Sequence, residues 1–229
     1  MVYVTYIKIP KTVHSFTEEN YLKAIYKLQE TNGEVVATSA LAQVMGVHSP
    51  SVTDMLKRMA SKKLVIYQKS KGFKLTEKGR QVAVGIIRKH RLWEVFLVDK
   101  LGFRWDEVHD IAEDLEHIQS EPLVNKLDAY LGYPKADPHG DPIPDENGKL
   151  KKVKTQPLTS APLKKKVTII ALGNSSDEFL RYLDKMGITI GDTVEVSEIE
   201  DFDKSVTVLH KKSSFSLSNE AANFLLVNV

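Results

Sequence analysis

His109, Glu113, Glu116 and His117 have the types and spacing to hold a divalent cation. On a helix, steps of three and four return a side chain to the same side, so these residues are expected on one face. Oxygen and imidazole donors gathered there make half of a cation site, although the same cluster also describes an ordinary solvated acidic face. Upstream, Ala83, Ile87, His90, Glu94, Leu97 and Leu101 follow one helical stripe, which only His90 and Glu94 interrupt. Burying an imidazole and a carboxylate without partners costs roughly several kcal/mol. They must pair with each other, with neighbours or with a metal. An ion pair at i, i+4 is the plain alternative. Two segments that each turn His and carboxylate inward favour a metal more than either does alone.

The chain that positions these residues has 229 residues, 42% hydrophobic and 27% charged, enough for one large domain or two to three small modules. It contains no cysteine, which excludes disulfides, thiolate-bound zinc and cysteine nucleophiles. No apolar stretch is long enough to cross a bilayer, and the first residues lack a signal-peptide layout, so a soluble, cytoplasmic protein with no membrane partner is expected. The net charge of +2 hides strong segregation. Residues 1–90 carry 15 Lys/Arg against 6 Asp/Glu, a net +9, whereas residues 91–132 carry 4 against 10, a net −6. A basic first third points to a polyanion such as DNA.

Apolar periodicity predicts a helix opening at Thr17-Glu18-Glu19-Asn20, a second from Thr38 to Met45 that stops at Gly46, and a third from Ser49, taken as its cap, to about Ala60. Helix, Gly-containing turn, capped helix is the helix-turn-helix order. Leu64–Tyr67 and Phe73–Leu75 read as strands of a small basic hairpin, the wing of a winged helix. Thr76 then caps a long helix to about Lys100, and further helices cover about Asp106–Ser120 and Pro122–Leu131. Between Pro134 and Pro162 lie six of the nine prolines, which reads as an irregular connection or flexible linker. Five short strands and one helix at about Ser176–Met186 then suggest a small SH3-like β-barrel.

The third helix buries Val52, Leu56 and Met59 and turns Ser51, Asp54, Lys57 and Arg58 outward. Ser51 and Asp54 could reach base edges in the major groove, Asp54 accepting from a cytosine amine. Lys57, Arg58, Lys69 and Lys71 suit phosphates, which set register but not sequence. His48 and Ser49 stand at the helix entrance, as DNA contacts or turn residues. Trp93, Phe96, Phe103, Trp105, Leu123 and Leu127 could form a dimer interface or the monomer's own core.

Several motifs in one order resemble the diphtheria toxin repressor family of metal-dependent transcriptional repressors, which includes the manganese transport regulators. They run from Thr17-Glu18-Glu19-Asn20-Tyr21-Leu22 through Arg88-Lys89-His90-Arg91-Leu92-Trp93-Glu94, Val108-His109-Asp110 and Glu113-Asp114-Leu115-Glu116-His117 to Pro138-His139-Gly140-Asp141-Pro142-Ile143-Pro144. The resemblance implies a primary metal site on Asn20, Glu113, Glu116 and His117, and an ancillary site on His90, Glu94 and His109. It also implies roles for Asp137 and His139, which match a Cys-Pro-His-Gly segment in some relatives, and for Glu178 as a ligand lent by the C-terminal domain. Departures from the family are plain. Asn20 stands where Met or Asp is common, Lys23 where manganese-type members carry a carboxylate, Glu113 where iron-type members carry Cys, and Ser175 where they carry a carboxylate.

The expected architecture is therefore a mainly α winged helix-turn-helix domain (1–76), a helical metal-binding and dimerisation domain (77–148), a linker (149–162) and an SH3-like β domain (163–229). The expected function is a metal-dependent repressor, a homodimer on double-stranded operator DNA that controls metal-ion homeostasis genes. A donor set of oxygen and imidazole suits Mn²⁺ or Fe²⁺, with Zn²⁺ able to bind in vitro. A winged-helix sensor of a small organic ligand and a metal-dependent hydrolase are the alternatives, the latter without any phosphate-cradling loop. Because histidine ligands must be deprotonated, metal affinity is expected to fall as pH drops from about 8 to about 5.5. Direct titration checks this, and unchanged affinity would count against histidine ligation.

Overall fold

The computed structural model describes residues 14–68, 72–151 and 153–228. They form two compact units that divide between Ile86 and Ile87. The first holds α1 (Phe16–Asn32), α2 (Thr38–Met45), α3 (Ser49–Ser61), β1 (Val65–Gln68), β2 (Gly72–Leu75) and the start of α4 (Glu77–Leu101). Helix α1 starts earlier than the Thr17 reading. Ser15 is its cap, and Ser15 and Glu18 form a reciprocal capping box, the Ser-x-x-Glu pattern satisfying two otherwise unpaired N–H groups. Helix α2 ends at Gly46, whose φ of 64° is the left-handed turn that a residue without Cβ adopts freely. The cap of α3 is His48 rather than Ser49, and Pro50 sits in the first turn, where its missing N–H costs nothing.

Leu22 and Ile25 of α1, Leu41 of α2, Val52, Leu56 and Met59 of α3, and Leu64 are fully buried together as the core of this unit. Strands β1 and β2 pair antiparallel from Val65↔Leu75 to Gln68↔Gly72. The tip of that hairpin, with Lys69 and Lys71, lies outside the described residues. Thr76 caps α4 as expected, accepting from the Gly79 N–H at 3.0 Å. Lys62 Nζ donates to Glu18 Oε1 at 2.6 Å, tying the first turn of α1 to the end of α3.

The second unit contains the rest of α4, then α5 (Val108–Leu115) and α6 (Glu121–Tyr130). Leu92 and Val95 of α4 pack with Val124 and Leu127 of α6 and with Ile143. Trp93 and Phe96 are half-buried against that core, Trp105 packs on the C-terminal core, and Phe103 and Leu123 are exposed. Helix α5 is shorter than expected, so Glu116 and His117 stand in the turn that follows it. The proline-rich segment is bound to α4 through its carbonyls: Arg88 Nη1 donates to the Pro144 oxygen at 3.0 Å and Arg91 Nη1 to the Pro142 oxygen at 2.6 Å.

The C-terminal part comprises β3 (Thr155–Pro157), β4 (Lys166–Leu172), α7 (Asp177–Met186), β5 (Thr193–Ile199), β6 (Val206–His210), β7 (Ser213–Leu217), α8 (Asn219–Phe224) and β8 (Leu225–Asn228). Its strands run in the order β3-β8-β4-β5-β6-β7 as one six-stranded sheet. The expected barrel is corrected here. Strands β3 and β7 are the two edges and do not pair with each other, so the sheet stays open. Strand β3 is three residues long and ends in Pro157, which has no N–H to donate to a closing ladder. Helix α7, capped by Ser176 and stopped at Gly187, buries Leu180 and Leu183 in the core of this sheet instead. No helix among the described residues is long and apolar enough to cross a membrane.

Burial works to raise the Glu18 carboxyl, but the hydrogen bonds from Lys62 and the Ser15 backbone, with the charge of Lys62, outweigh it and hold the group below its usual value. Its stabilisation is therefore complete above the ordinary value of 4.5 and is lost as pH falls through the lowered one. In urea unfolding, the stability gap between the native chain and Glu18→Gln is expected to be widest near neutrality. It should close as the pH drops below the normal carboxylate range.

Candidate metal centre

Helix α4 delivers the central residues of the site. His90 and Glu94 are one turn apart on its apolar stripe, and both are buried. Glu94, only 2% exposed, turns one oxygen toward three imidazoles. Its Oε1 lies 3.0 Å from His90 Nε2, 3.5 Å from His109 Nδ1 and 3.8 Å from His139 Nδ1. Burial would push this carboxyl up, yet the hydrogen bonds from His109 and His90 hold it far below the usual carboxylate range. The other ring nitrogen of His90, Nδ1, is 2.7 Å from Oε2 of Glu116, which is fully buried. A carboxylate can only accept, so both nitrogens of His90 are pulled toward the protonated state. Burial lowers its pKa, but Glu116 and Glu94 raise it by more.

His109 and Glu113, four residues apart on α5, are half-exposed and lie 3.6 Å apart, whereas Glu116 is fully buried. The expected common face of 109, 113, 116 and 117 therefore divides. His109 reaches Glu94, Glu116 reaches His90, and His117 Nε2 stands 3.9 Å from Glu116 Oε1. Asn20 belongs to the first unit, where its side-chain oxygen is buried without a hydrogen-bond partner.

Asp137 and His139 come from the proline-rich segment. Asp137 Oδ1 accepts from the backbone N–H groups of His139 and Asp141 at 2.9 and 3.0 Å, which folds the turn around it. Burial and the neighbouring charges of Glu94 and Asp141 push its carboxyl well above the ordinary value, and Arg91 offsets part of that. Arg91 Nε is 3.5 Å from Asp137 Oδ2, and its Nη2 donates to Asp141 Oδ2 at 3.1 Å. Two donor sets thus share Glu94: His90, Glu94 and His109, and Glu94, Asp137 and His139, with the ligand atoms of each set within 4.8 Å of one another. Carboxylates crowded away from water fit a bound cation, which relieves the repulsion felt by Asp137. A donor set of imidazole and oxygen without sulfur fits Mn²⁺ or Fe²⁺ chemistry.

Glu178 is not brought to either set. It is exposed, with Arg181 at 3.6 Å. Asp177, one residue earlier, instead lines a polar cleft of about 440 Å³ with His109, Asp110, Asp106 and Arg181. In the first unit, α3 exposes Ser49, Ser51, Asp54, Lys57 and Arg58, and His48 precedes them. Lys57 Nζ donates to Asp54 Oδ1 at 3.3 Å, an exposed pair.

Family models match the chain in three stretches. Residues 15–73 match the iron dependent repressor N-terminal DNA binding domain, residues 76–145 the iron dependent repressor metal binding and dimerisation domain, and residues 156–229 the FeoA domain. The diphtheria toxin repressor of Corynebacterium diphtheriae is 30% identical over 222 residues, covering 92% of this chain and 96% of that protein. The chain belongs to the diphtheria toxin repressor family of metal-dependent transcriptional repressors. This family's members are DNA-binding regulators rather than enzymes, which sets aside the hydrolase reading. The iron-dependent repressor IdeR of Mycobacterium tuberculosis is 38% identical over 128 residues, and the matched stretch spans about half of each chain, 56% of this one and 55% of that protein. Among solved structures, a manganese-dependent transcriptional repressor in complex with manganese superposes with a TM-score of 0.81 at 34% identity, covering 92% of this chain and 99% of that one. ScaR with bound Cd²⁺ follows with a TM-score of 0.75 at 33% identity, covering 92% of this chain and 98% of that one.

Sequence reading passed over Arg91, Asp141 and Asp177. Arg91 follows His90 directly in the sequence, but only the fold shows that it turns to the proline-rich segment. A cation bound at His90 must displace the proton that Glu94 and Glu116 hold there. Metal binding at or below neutral pH is therefore expected to release protons, and His90→Gln should release fewer. Calorimetric titration in two buffers of different ionisation enthalpy measures the number. Identical release by both proteins would show that His90 carries no displaced proton.

Proposed function

We propose that this chain is a transcriptional repressor activated by Mn²⁺ or Fe²⁺, which binds double-stranded operator DNA as a homodimer and controls metal-ion homeostasis genes. The observation that carries the reading is the single oxygen of Glu94 facing His90, His109 and His139 in a buried place that a second carboxylate, Asp137, also enters. His90, Glu94, His109, Asp137 and His139 are the proposed donors around that oxygen. Asp177 takes the part that the sequence assigned to Glu178. Glu113, Glu116 and His117 are the proposed donors of the other site. Zn²⁺ would occupy the same donors in vitro, since raw affinity ranks it above both manganese and iron.

On DNA, Ser51 and Asp54 are placed to meet base edges, while Lys57 and Arg58, with Lys69 and Lys71 of the wing, meet phosphates. Dimerisation would use the face where half-buried Trp93 and Phe96 adjoin exposed Tyr130. An apolar face of this kind suits a two-fold partner, and a two-fold dimer suits a paired operator. Activation follows from linkage. A cation that binds one arrangement of the chain more tightly populates it, and DNA that selects the same arrangement tightens the cation by an equal factor.

Electrophoretic retardation of operator DNA with Mn²⁺, Fe²⁺, Zn²⁺ or chelator tests the proposal. Retardation is expected only with a cation. Glu94→Gln and Glu116→Ala should each need at least about tenfold more Mn²⁺, a factor equivalent to about 1.4 kcal/mol. Equal retardation after exhaustive chelation overturns the reading.

A further inference from the structure

His139 is held from two sides, by the Trp105 carbonyl, whose residue is itself bonded to α7, and by strand β4 of the C-terminal domain, and neither hold is a metal bond. Its Nε2 lies 2.9 Å from the carbonyl oxygen of Trp105. A carbonyl only accepts, so Nε2 carries the proton and donates. Nδ1 is thereby left with its lone pair, on the side where Glu94 Oε1 and Asp137 Oδ1 stand at 3.8 and 4.0 Å. The Trp105 indole lies nearly parallel to the imidazole, at 17° and 6.3 Å between centroids. Trp105 is in turn fixed from α7: its Nε1 donates to Asp184 Oδ1 at 3.0 Å, and Arg104 Nη2 donates to Asp184 Oδ2 at 2.6 Å.

The second hold is on the backbone. The Leu172 N–H of β4 donates to the His139 carbonyl at 3.0 Å. Gly140 follows, with φ of +87°, pressed so closely on β4 that a Cβ there would overlap the Ile170 carbonyl and the Cα of Ala171. A side chain at 140 would lift the turn off the strand and carry His139 with it.

We propose that Trp105, Asp184 and Gly140 are positioning residues through which the C-terminal domain sets the tautomer and direction of His139, and so the affinity of the metal centre, independently of any ligand that domain donates. The inference rests on His139 being a ligand. A carbonyl partner on the far nitrogen is how proteins orient a metal-binding imidazole, and loss of such a partner typically costs ten- to a hundredfold in affinity.

The test is Mn²⁺ titration of the full chain, comparing the native protein with Trp105→Phe, Asp184→Ala and His139→Ala, and with each of the first two combined with the third. Trp105→Phe and Asp184→Ala keep the backbone carbonyl but release what fixes it, so each is expected to weaken Mn²⁺ by up to about tenfold, while metal-free thermal melting shows them folded. Neither should weaken it further once His139 is Ala, a result that general loosening of the fold would not give. ¹⁵N resonances of the metal-free native protein should show His139 protonated at Nε2. Protonation at Nδ1 overturns the proposal, whether or not any variant folds. Native affinity in both positioning variants, with loss in His139→Ala, overturns it and leaves the ligand assignment standing. Native affinity in His139→Ala removes the ligand assignment and the proposal together. Losses that persist undiminished in the His139→Ala background also overturn it.

Discussion

One carboxylate oxygen, Glu94 Oε1, organises the second unit. It is buried, it is charged, and three imidazoles from three separate stretches of chain converge on it. An ionised carboxylate in such a place survives only if donors replace the water it has lost. The donors are His90 of α4 itself and His109 of α5, and the turn at 137–141 brings a third imidazole to 3.8 Å, so those segments meet at this one group. Imidazoles are what make the arrangement switchable. Each can carry a proton or offer a lone pair, and the same geometry serves a proton in one state and a cation in another.

The remaining devices in the unit keep that geometry from relaxing. Arg91 leaves α4 one residue after His90, yet it points to the proline-rich segment, where Asp137 and Asp141 share its charge and Pro142 takes a hydrogen bond. Without that cation, the buried Glu94 and Asp137 would repel each other away from solvent, where repulsion is strong, and the exposed Asp141 would add to it. The prolines of the segment act in the same direction. They remove backbone freedom from a stretch that has few backbone ladder bonds of its own, so less entropy is lost when it orders.

The parts legible in the sequence were those governed by local rules. Apolar spacing marked α2 and α3, Gly46 marked a helix stop, and Thr76 marked the start of α4, because period, chirality and capping act within a few residues. His90 and Glu94 stood out for the same reason, as polar interruptions of an apolar stripe. The illegible parts depended on distant segments. Whether β3 met β7 is not written in either strand, and the barrel expected from strand count alone did not form. Asp177 and Glu178 are neighbours of one type on a helix start, and only the fold shows that the first lines the cleft that His109 also lines while the second does not. Helix α5 stops at Leu115, so a helical wheel drawn through 117 placed four residues on a face that the chain does not keep.

An unclosed sheet has two rims, and each rim offers unpaired N–H and C=O groups to any strand that drifts by. Here both rims are blunted. Strand β3 is short and proline-terminated, and β7 is a serine-rich strand entered through Lys211 and Lys212. Short length, proline and lysine are recognised deterrents to edge-to-edge stacking. The domain thereby leaves its rims exposed without inviting fibrous self-association.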